Sequence, residues 1–249
     1  MDKRFLGLLV VIALVLTGIF FISNNKTAEA PSGPKGGLTD HIQGTASANV
    51  KLVEYGDFQC PACGRYHIPV KEVVEKYGSL ISFQFRNFPL FSIHPNAIAG
   101  ARAAEAADLQ GKYWEMHDKL YEENYAQQIA QSQGKNYSTW LDASNPQSNF
   151  DNYASGLGLD LTKFRQDYKS KTTNDRVQAD LREATRLGVD STPTFYLNGK
   201  KISTPSPTLE AFSKVIDAEI VKKGGTPPPA TAPAASTAPA AETTPAPAE

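Results

Sequence analysis

The pair Cys60 and Cys63 stands between a segment with strand character and a segment with helix character, and this junction restricts the fold more than any other feature. Before it, residues 50–55 (Val-Lys-Leu-Val-Glu-Tyr) are rich in strand formers and lead into a Gly-Asp turn. After it, apolar residues recur at helical spacing from Pro61 onward. Residues 81–86 then alternate apolar and polar side chains, which predicts a strand with one buried face. The pattern predicts a strand-helix-strand unit with both thiols at the start of its helix.

The rest of the chain completes an α/β arrangement. Residues 87–187 are mainly helical by alanine content and apolar spacing, although residues 131–158 show little periodicity. Strand character returns at residues 194–197, and the Asn-Gly pair that follows is a strong signal for a two-residue hairpin. A last helix is expected to end at Gly224. The predicted order is strand, helix, strand, helical block, hairpin and helix.

The chain contains only two cysteines, which excludes a disulfide-rich scaffold and leaves the thiols to act as a pair. Cys60 is expected at a helix N-terminus, where unpaired backbone N–H groups and the helix dipole stabilise a thiolate. The resulting low pKa makes a thiolate that attacks disulfides and is easily expelled from them. Cys63, one helical turn further along, would be the shielded thiol that closes the ring.

Other roles for the two cysteines account less well for their close spacing in the sequence. A disulfide that served only as a crosslink would close a very short loop and add about 2 kcal/mol, against about 5 kcal/mol for a loop of about 100 residues. A metal site of Cys60, Cys63 and His67 would fit one helix face, but the other histidines have no ligand spacing to it. We therefore predict no metal site. A copper or zinc carrier that uses the same thiols is the rival hypothesis from outside the enzymes.

Two further features point to the chemistry of the thiols. Glu54 interrupts a strand that is expected to be buried on both faces, where a carboxyl group is costly. With its pKa raised by burial, it could exchange a proton with Cys63; the alternative is a solvent-facing Glu at a sheet edge.

Thr192-Pro193 begins the returning strand. If this bond is cis and faces Cys60, the backbone of Thr192 could hold a substrate peptide beside the reactive sulfur.

Both ends of the chain differ from its middle. Residues 5–22 are uncharged and apolar and follow Lys-Arg, so we read residues 1–23 as a membrane anchor or uncleaved signal; the alternative is a signal cleaved after residue 30. Either reading places the domain outside the cytoplasm. Residues 24–48 resemble a loose linker, and residues 226–249, with seven of the 17 prolines, resemble a disordered tail. The net charge of −1 argues against binding to nucleic acid.

Four motifs resemble the DsbA-type thiol–disulfide oxidoreductases in order and spacing. They are Phe-Gln-Cys-Pro-Ala-Cys at 58–63, Arg-Asn-Phe-Pro-Leu with His-Pro-Asn at 86–96, Gln-Gly-Lys-Tyr-Trp-Glu-Met-His-Asp at 110–118, and Gly-Val-Asp-Ser-Thr-Pro-Thr-Phe at 188–195. The resemblance covers residues 49–225 and implies a thioredoxin-like fold with a helical subdomain inserted at about residues 90–187.

The resemblance also implies roles for individual residues. Cys60 would be the exposed nucleophile and Cys63 the buried resolving thiol, with Glu54 at the family's buried acid position. Thr192 and a cis-Pro193 would form the substrate-facing loop, and the two residues between the cysteines, Pro61 and Ala62, are predicted to contact substrate as well. Ala62 stands where the best-known oxidants of this type carry histidine, which argues against a very strongly oxidising couple.

The function implied by the resemblance is the introduction of disulfides into exported proteins, without a cofactor. A quinone-linked membrane partner would reoxidise the thiols, and the N-terminal helix would hold the catalytic domain at the outer side of the cell membrane. The same residues can also run as a reductase or isomerase, because potentials in this class extend from about −270 mV to about −120 mV. The direction of exchange therefore stays open at the level of sequence.

Overall fold

The computed structural model describes residue 38 and residues 40–229, which contain five strands and seven helices. The strands are β1 (His41–Gly44), β2 (Val50–Gly56), β3 (Ile81–Asn87), β4 (Thr194–Leu197) and β5 (Lys200–Lys201). The helices are α1 (Pro61–Tyr77), α2 (Ala97–Asp108), α3 (Tyr113–Ser132), α4 (Gln147–Gly156), α5 (Leu161–Tyr168), α6 (Lys171–Arg186) and α7 (Leu209–Lys222).

The five strands form one mixed sheet in the order β1-β3-β2-β4-β5. Strands β2 and β3 are parallel and are joined through α1, which confirms the predicted strand-helix-strand unit. The other neighbours are antiparallel. The predicted hairpin is present, and its two turn residues, Asn198 and Gly199, have φ of 48° and 80°, as a two-residue turn between twisted strands requires. The fold is thus α/β and thioredoxin-like.

Three apolar clusters hold the layers together. One lies between a face of the sheet and helices α1 and α7, where Leu52, Phe83 and Phe195 meet Val73 and Ile216. A second, on the opposite face, packs Val53, Tyr55 and Tyr196 against Ala184 and Leu187 at the end of α6. The third fills the helical block and extends from Trp140 and Phe150 to both cysteines. The helical block therefore has its own core, and the thiols lie at its boundary with the sheet.

The helices that connect β3 to β4 lie within the expected insertion of about 90–187. Helix α2 is rich in alanine and buries most of its length, and it packs against α3, α5 and α6. Its Gly100 has no side chain because the ring of Trp140 lies where a Cβ would be, 2.8 Å away. Part of the stretch without clear periodicity forms α4, which contributes Phe150 and Ala154 to the core of the helical block.

Two expectations need correction. The expected linker of residues 24–48 is too long, because His41–Gly44 pairs with β3 as an edge strand. Strand β3 was expected to have one buried face, but both faces are buried, and Arg86 is completely inaccessible. The reason in each case is a tertiary contact: β1 covers one edge of β3, and α6 covers its polar face, where Asp180 pairs with Arg86.

The structure describes the two ends of the chain only in part. The expected anchor of residues 1–23 and nearly all of the expected tail lie outside the described residues, while residues 226–229 continue from α7 without regular structure. Within residues 40–229, no helix combines the length and apolar character that crossing a bilayer requires.

Candidate active site

The geometry of the site begins with Cys60, the residue that precedes the first turn of α1. Its extended backbone, with φ −66° and ψ 123°, makes it the N-cap, and Pro61 occupies the first helical position. The carbonyl of Cys60 accepts the first helical hydrogen bond, from the N–H of Gly64 at 3.2 Å. Cys60 was expected to be exposed, but it is only 7% exposed and is therefore buried in the reduced protein. Both cysteines are free thiols.

The pKa of Cys60 is lowered to about 6. The largest cause is a hydrogen bond from the Cys63 thiol, which outweighs the opposing effect of burial; the Thr192 side chain and the backbone N–H groups of Cys63 and Ala62 add to it. The sequence predicted the direction of this shift correctly. The hydrogen bonds from the two backbone N–H groups at the helix N-terminus, which were expected to be the main cause, have a smaller effect than the hydrogen bond from the second thiol.

Cys63 and Glu54 lie on the buried side of Cys60. Cys63 is completely inaccessible, and burial, followed by its hydrogen bond to Cys60, raises its pKa well above the ordinary value. Glu54 is 4% exposed in the middle of β2, where Phe85 and Phe195 are its cross-strand neighbours. Burial, and then the charge of Cys60, raises the pKa of Glu54 to about 8. The alternative of a solvent-facing Glu at a sheet edge is wrong, because β2 is a central strand.

The substrate-facing loop lies opposite the reactive sulfur. The Thr192-Pro193 peptide bond is cis, and the carbonyl oxygen of Thr192 is 3.6 Å from Cys60 Sγ. Thr192 is half-buried and Pro193 is buried just before β4. Of the two residues between the cysteines, Pro61 is exposed and Ala62 is half-buried. The structure thus brings all the sequence-predicted site residues to one place.

Sequence reasoning missed the role of Asp57, which it treated only as part of a turn. The Asp57 side chain is buried and accepts hydrogen bonds from the N–H of Gln59 at 2.8 Å, from the N–H of Leu90 at 2.9 Å and from His94 Nδ1 at 2.7 Å. Its own carbonyl accepts from the N–H of Cys60 at 3.0 Å. Asp57 therefore ties the loop of the reactive cysteine to the loop after β3. A carboxylate three residues before the first cysteine was the signal available in the sequence.

Asn124 on α3 is the second residue that sequence reasoning missed. It is fully buried, and its Nδ2 donates to the carbonyl oxygens of Phe58 at 2.8 Å and Cys60 at 3.2 Å. The helical block thus holds the backbone on both sides of Gln59. No local pattern marked this asparagine, because its partners lie more than 60 residues earlier in the chain.

The arrangement suits thiol–disulfide exchange. Cys60 ionises easily, Cys63 is completely buried and holds its proton, and the buried carboxyl group of Glu54 interacts electrostatically with Cys63. Within the described residues, the histidines and acidic groups close enough together to hold a metal ion are His67, His117 and Asp118, and neither thiol belongs to that group. A thioredoxin-like sheet with a dithiol at the start of its first helix defines the class of dithiol oxidoreductases.

Comparison with known proteins agrees with this class. Residues 37–218 match the family model described as Thioredoxin. The chain belongs to the thioredoxin family. Its fold is similar to that of oxidised BdbD from Bacillus subtilis, with a TM-score of 0.62 at 18% identity over 79% of this chain and 100% of that one. It is also similar to α-DsbA1 from Wolbachia pipientis, with a TM-score of 0.61 at 21% identity over 76% of this chain and 96% of that one.

The curated relatives are longer proteins. The chain is 32% identical over 214 residues to the Na⁺/H⁺ antiporter NhaA 1 of Mycobacterium sp. strain KMS. The aligned region covers 82% of this chain and 32% of the antiporter. It is 34% identical over 194 residues to the Na⁺/H⁺ antiporter NhaA 3 of Salinispora tropica, and the aligned region covers 76% of this chain and 27% of that antiporter. The chain therefore spans about a third of the length of these relatives.

Proposed function

We propose that the protein is an oxidase outside the cytoplasm that donates the Cys60–Cys63 disulfide to exported proteins. The observation that carries this proposal is the opposite behaviour of the two thiols: the pKa of Cys60 is about 6, and that of Cys63 is well above its ordinary value. An ionised Cys60 stabilises the reduced form of the pair, and a couple whose reduced form is stabilised is a better oxidant.

The proposed reaction transfers two electrons from a pair of substrate thiols. A substrate thiolate attacks Cys60 Sγ, the bond to Cys63 breaks, and Cys63 leaves while it takes a proton from Glu54. A second substrate thiolate then attacks the substrate sulfur of the mixed disulfide and expels Cys60 as a thiolate. The substrate gains a disulfide, and the enzyme becomes a dithiol whose Glu54 recovers a proton from solvent. The raised pKa of Glu54, about 8, keeps this proton available at neutral pH.

Substrate binding is proposed for the surface around the sulfur. Thr192 presents its carbonyl beside Cys60 and Pro193 supports it, so an extended peptide could pair with this backbone, while Pro61 and Ala62 would contact the residues next to its cysteine. Two exposed apolar side chains, Phe91 at 58% and Ile93 at 69%, lie on the loop that Asp57 holds against the active site. An unfolded exported chain has the apolar residues that such a surface binds.

The cellular setting of the proposal comes from the sequence. The apolar run of residues 5–22 supports a single membrane anchor within residues 1–23, with the catalytic domain on the outer side of the cell membrane. An oxidase in that place needs a partner that accepts its electrons, and we propose a quinone-linked membrane protein. The intact mass of the exported form distinguishes an anchor from a signal cleaved after residue 30.

The potential of the Cys60–Cys63 couple tests the direction of exchange. Equilibration with glutathione should give a value well above about −270 mV, the potential of thioredoxin, toward about −120 mV, that of DsbA. A value near −270 mV would instead support the second candidate, a reductase or isomerase of the cell envelope. Ala62 favours that candidate, because the best-known oxidants of this type carry histidine at this position. Mixed disulfides trapped on a Cys63→Ala variant would exclude the remaining alternative, a copper or zinc carrier.

A Glu54→Gln variant tests the proton transfer. Its amide cannot supply a proton, and general acid–base catalysis contributes about 10²-fold or more in favourable cases, so we expect the rate of substrate oxidation to fall by at least about tenfold. The potential of the couple, measured on the same sample, separates a slower reaction from a changed equilibrium. An unchanged rate would remove Glu54 from the mechanism.

A further inference from the structure

A cluster of three possible metal ligands lies outside the dithiol site, between α1 and α3. His67 comes from α1, and His117 and Asp118 come from α3. One ligand atom from each residue lies within 4.8 Å of the other two. The histidines are 7% and 5% exposed, so the cluster is set into the protein and is not a chance grouping on its surface.

The ring of His117 has one nitrogen that the protein leaves without a partner. Its Nδ1 lies 3.0 Å from a carboxylate oxygen of Asp118, which orients the ring. Its Nε2 is buried and has no hydrogen-bond partner in the part of the chain that the structure describes. The rings of Phe58, Phe85 and Trp114 surround the imidazole at steep interplanar angles of 80°, 80° and 67°. The nitrogen of His117 that faces the cluster is therefore Nδ1, which lies beside Asp118.

His67 supplies the second nitrogen. Its ring centroid is 5.7 Å from that of His117, and it stacks on Tyr121 at 5.6 Å. A neutral imidazole has one nitrogen with a free lone pair. Metal ions bind this neutral form of histidine.

We propose that His67, His117 and Asp118 bind a divalent transition-metal ion, with Zn²⁺ as the best match. Two imidazoles and one carboxylate suit Zn²⁺ and its transition-metal neighbours, whereas Mg²⁺ and Ca²⁺ require mainly oxygen ligands. His117 Nδ1 and Asp118 Oδ1, which are 3.0 Å apart, would both bind the ion, and the ion would replace the hydrogen bond between them. Three protein ligands leave one position of a tetrahedral ion for water.

The surroundings of the cluster include a groove through which the ion can approach and one lysine that competes with the ion. His67 and Lys71 line a groove of about 560 Å³ between α1 and α3, through which an ion can approach. Lys71 Nζ lies 3.0 Å from Asp118 Oδ2 and occupies a carboxylate oxygen that the ion could use. The Lys71 side chain is 50% exposed, so it can turn into solvent when the ion binds. A bound ion would fasten α1 to α3 one helical turn after Cys63 and so would stabilise the fold around the active site.

Zn²⁺ titration of the full-length chain by calorimetry tests the site. The protein is kept in its disulfide form, so that the thiols cannot bind the ion, and its purification tag contains no histidine. We expect one equivalent of Zn²⁺ to bind. His67→Gln and Asp118→Asn should each weaken the affinity by more than about tenfold. Lys71→Met should strengthen it, because the competing ammonium group is gone.

A matched control and a second signal complete the test. His94→Gln removes a histidine outside the cluster and should leave the affinity for Zn²⁺ unchanged. Co²⁺ in place of Zn²⁺ should give an absorption spectrum typical of nitrogen and oxygen ligands without sulfur. Zn²⁺ should raise the Tm of the wild type and of His94→Gln, but not that of His67→Gln. The proposal fails if no equivalent binds, or if His67→Gln and Asp118→Asn bind as the wild type does. The outcome does not depend on the direction of disulfide exchange.

Discussion

The two active-site cysteines have the same side chain and opposite behaviour, and the difference comes from a few contacts. The Cys63 thiol donates to Cys60, and this favours the thiolate at position 60 and the thiol at position 63. Burial adds to the difference, because Cys63 has no access to water. The carboxyl group of Glu54 interacts electrostatically with both sulfurs. The chemistry of the site therefore depends on the pair as a unit.

The first prediction concerns the titration of Cys60. In the reduced wild type, the thiolate absorbance and the rate of alkylation should rise through a pH of about 6. A Cys63→Ala variant loses the largest cause of the low pKa, so the pKa of Cys60 should move up toward the value of an ordinary cysteine. Thiolate absorbance in the ultraviolet measures both. An unchanged titration in Cys63→Ala would mean that the helix N-terminus, and not the second thiol, stabilises the thiolate.

The second prediction concerns Glu54 and stability. Its folded pKa is about 8 and its unfolded pKa is 4.5, so the folded state retains a proton that the unfolded state loses. The contribution of Glu54 to the free energy of unfolding should therefore decrease as pH rises from 4.5 to 8, by about 3 kcal/mol at pH 7. Glu54→Gln lacks this titration, so its stability relative to the wild type should increase over the same range. Urea unfolding of both reduced proteins at pH 5 and pH 7 measures the change, and a constant difference would contradict it.

At the scale of elements, the contact between α1 and α3 decides how the reactive loop is held. Gly64 lies in the first turn of α1, and a Cβ there would be 2.7 Å from Asn124 Oδ1. Gln128 on α3 donates to the same oxygen at 2.7 Å. The absence of a side chain at position 64 lets the two helices approach, and this approach places Asn124 against the carbonyls of Phe58 and Cys60.

The third prediction uses this contact. Gly64→Ala should reduce the free energy of unfolding by about 1–3 kcal/mol, because the new methyl group displaces a buried amide that holds the loop. This loss opposes the gain in helix propensity, about 1 kcal/mol. The matched control is Gly156→Ala at the end of α4, where a Cβ meets nothing within 4 Å. That variant should be neutral or slightly stabilised in denaturant unfolding. Equal effects of the two substitutions would show that the close contact at Gly64 does not affect the free energy of unfolding.

The same scale shows what sequence could and could not predict. The strand-helix-strand unit and the hairpin were predictable, because their turn residues and periodicity are local. Strand β1 was not, since its four residues contain a single large apolar side chain and its partner β3 lies about 40 residues later. The site residues near the cysteines were predictable from spacing. Asn124 and the hydrogen bonds of Asp57 were not, because they depend on how distant loops and helices meet.

At the scale of the whole molecule, the dithiol lies at the boundary between the sheet and the helical block. Cys60 and Cys63 belong to the same apolar cluster as Met116, Leu120 and Phe150 of the inserted helices. A change in the oxidation state of the thiols therefore acts on contacts that join the two parts of the fold. The energy of the disulfide and the stability of the molecule are linked for this reason.

The fourth prediction follows from that linkage. The folded pKa of Cys60, about 6, lies below its unfolded value of 9, so ionisation stabilises the reduced protein as pH rises above 6 and the contribution is lost as pH falls through 6. The disulfide form has no such titration. The difference in unfolding free energy, reduced minus oxidised, should therefore rise by about 1.4 kcal/mol per pH unit between pH 6 and pH 8.5. Urea unfolding of both forms measures it, and a difference that does not change with pH would contradict the assignment.

The hydrogen bonds from Asn124 also bear on any attempt to shorten this protein. The turn that carries Cys60 receives part of its support from α3, which belongs to the inserted helices. A truncated version without α2 to α5 would keep the sheet and the helices α1, α6 and α7 that cover it, but it would release the backbone beside the nucleophile. Engineers who want a smaller catalyst from this domain must retain α3, and combinatorial libraries around position 60 should include position 124.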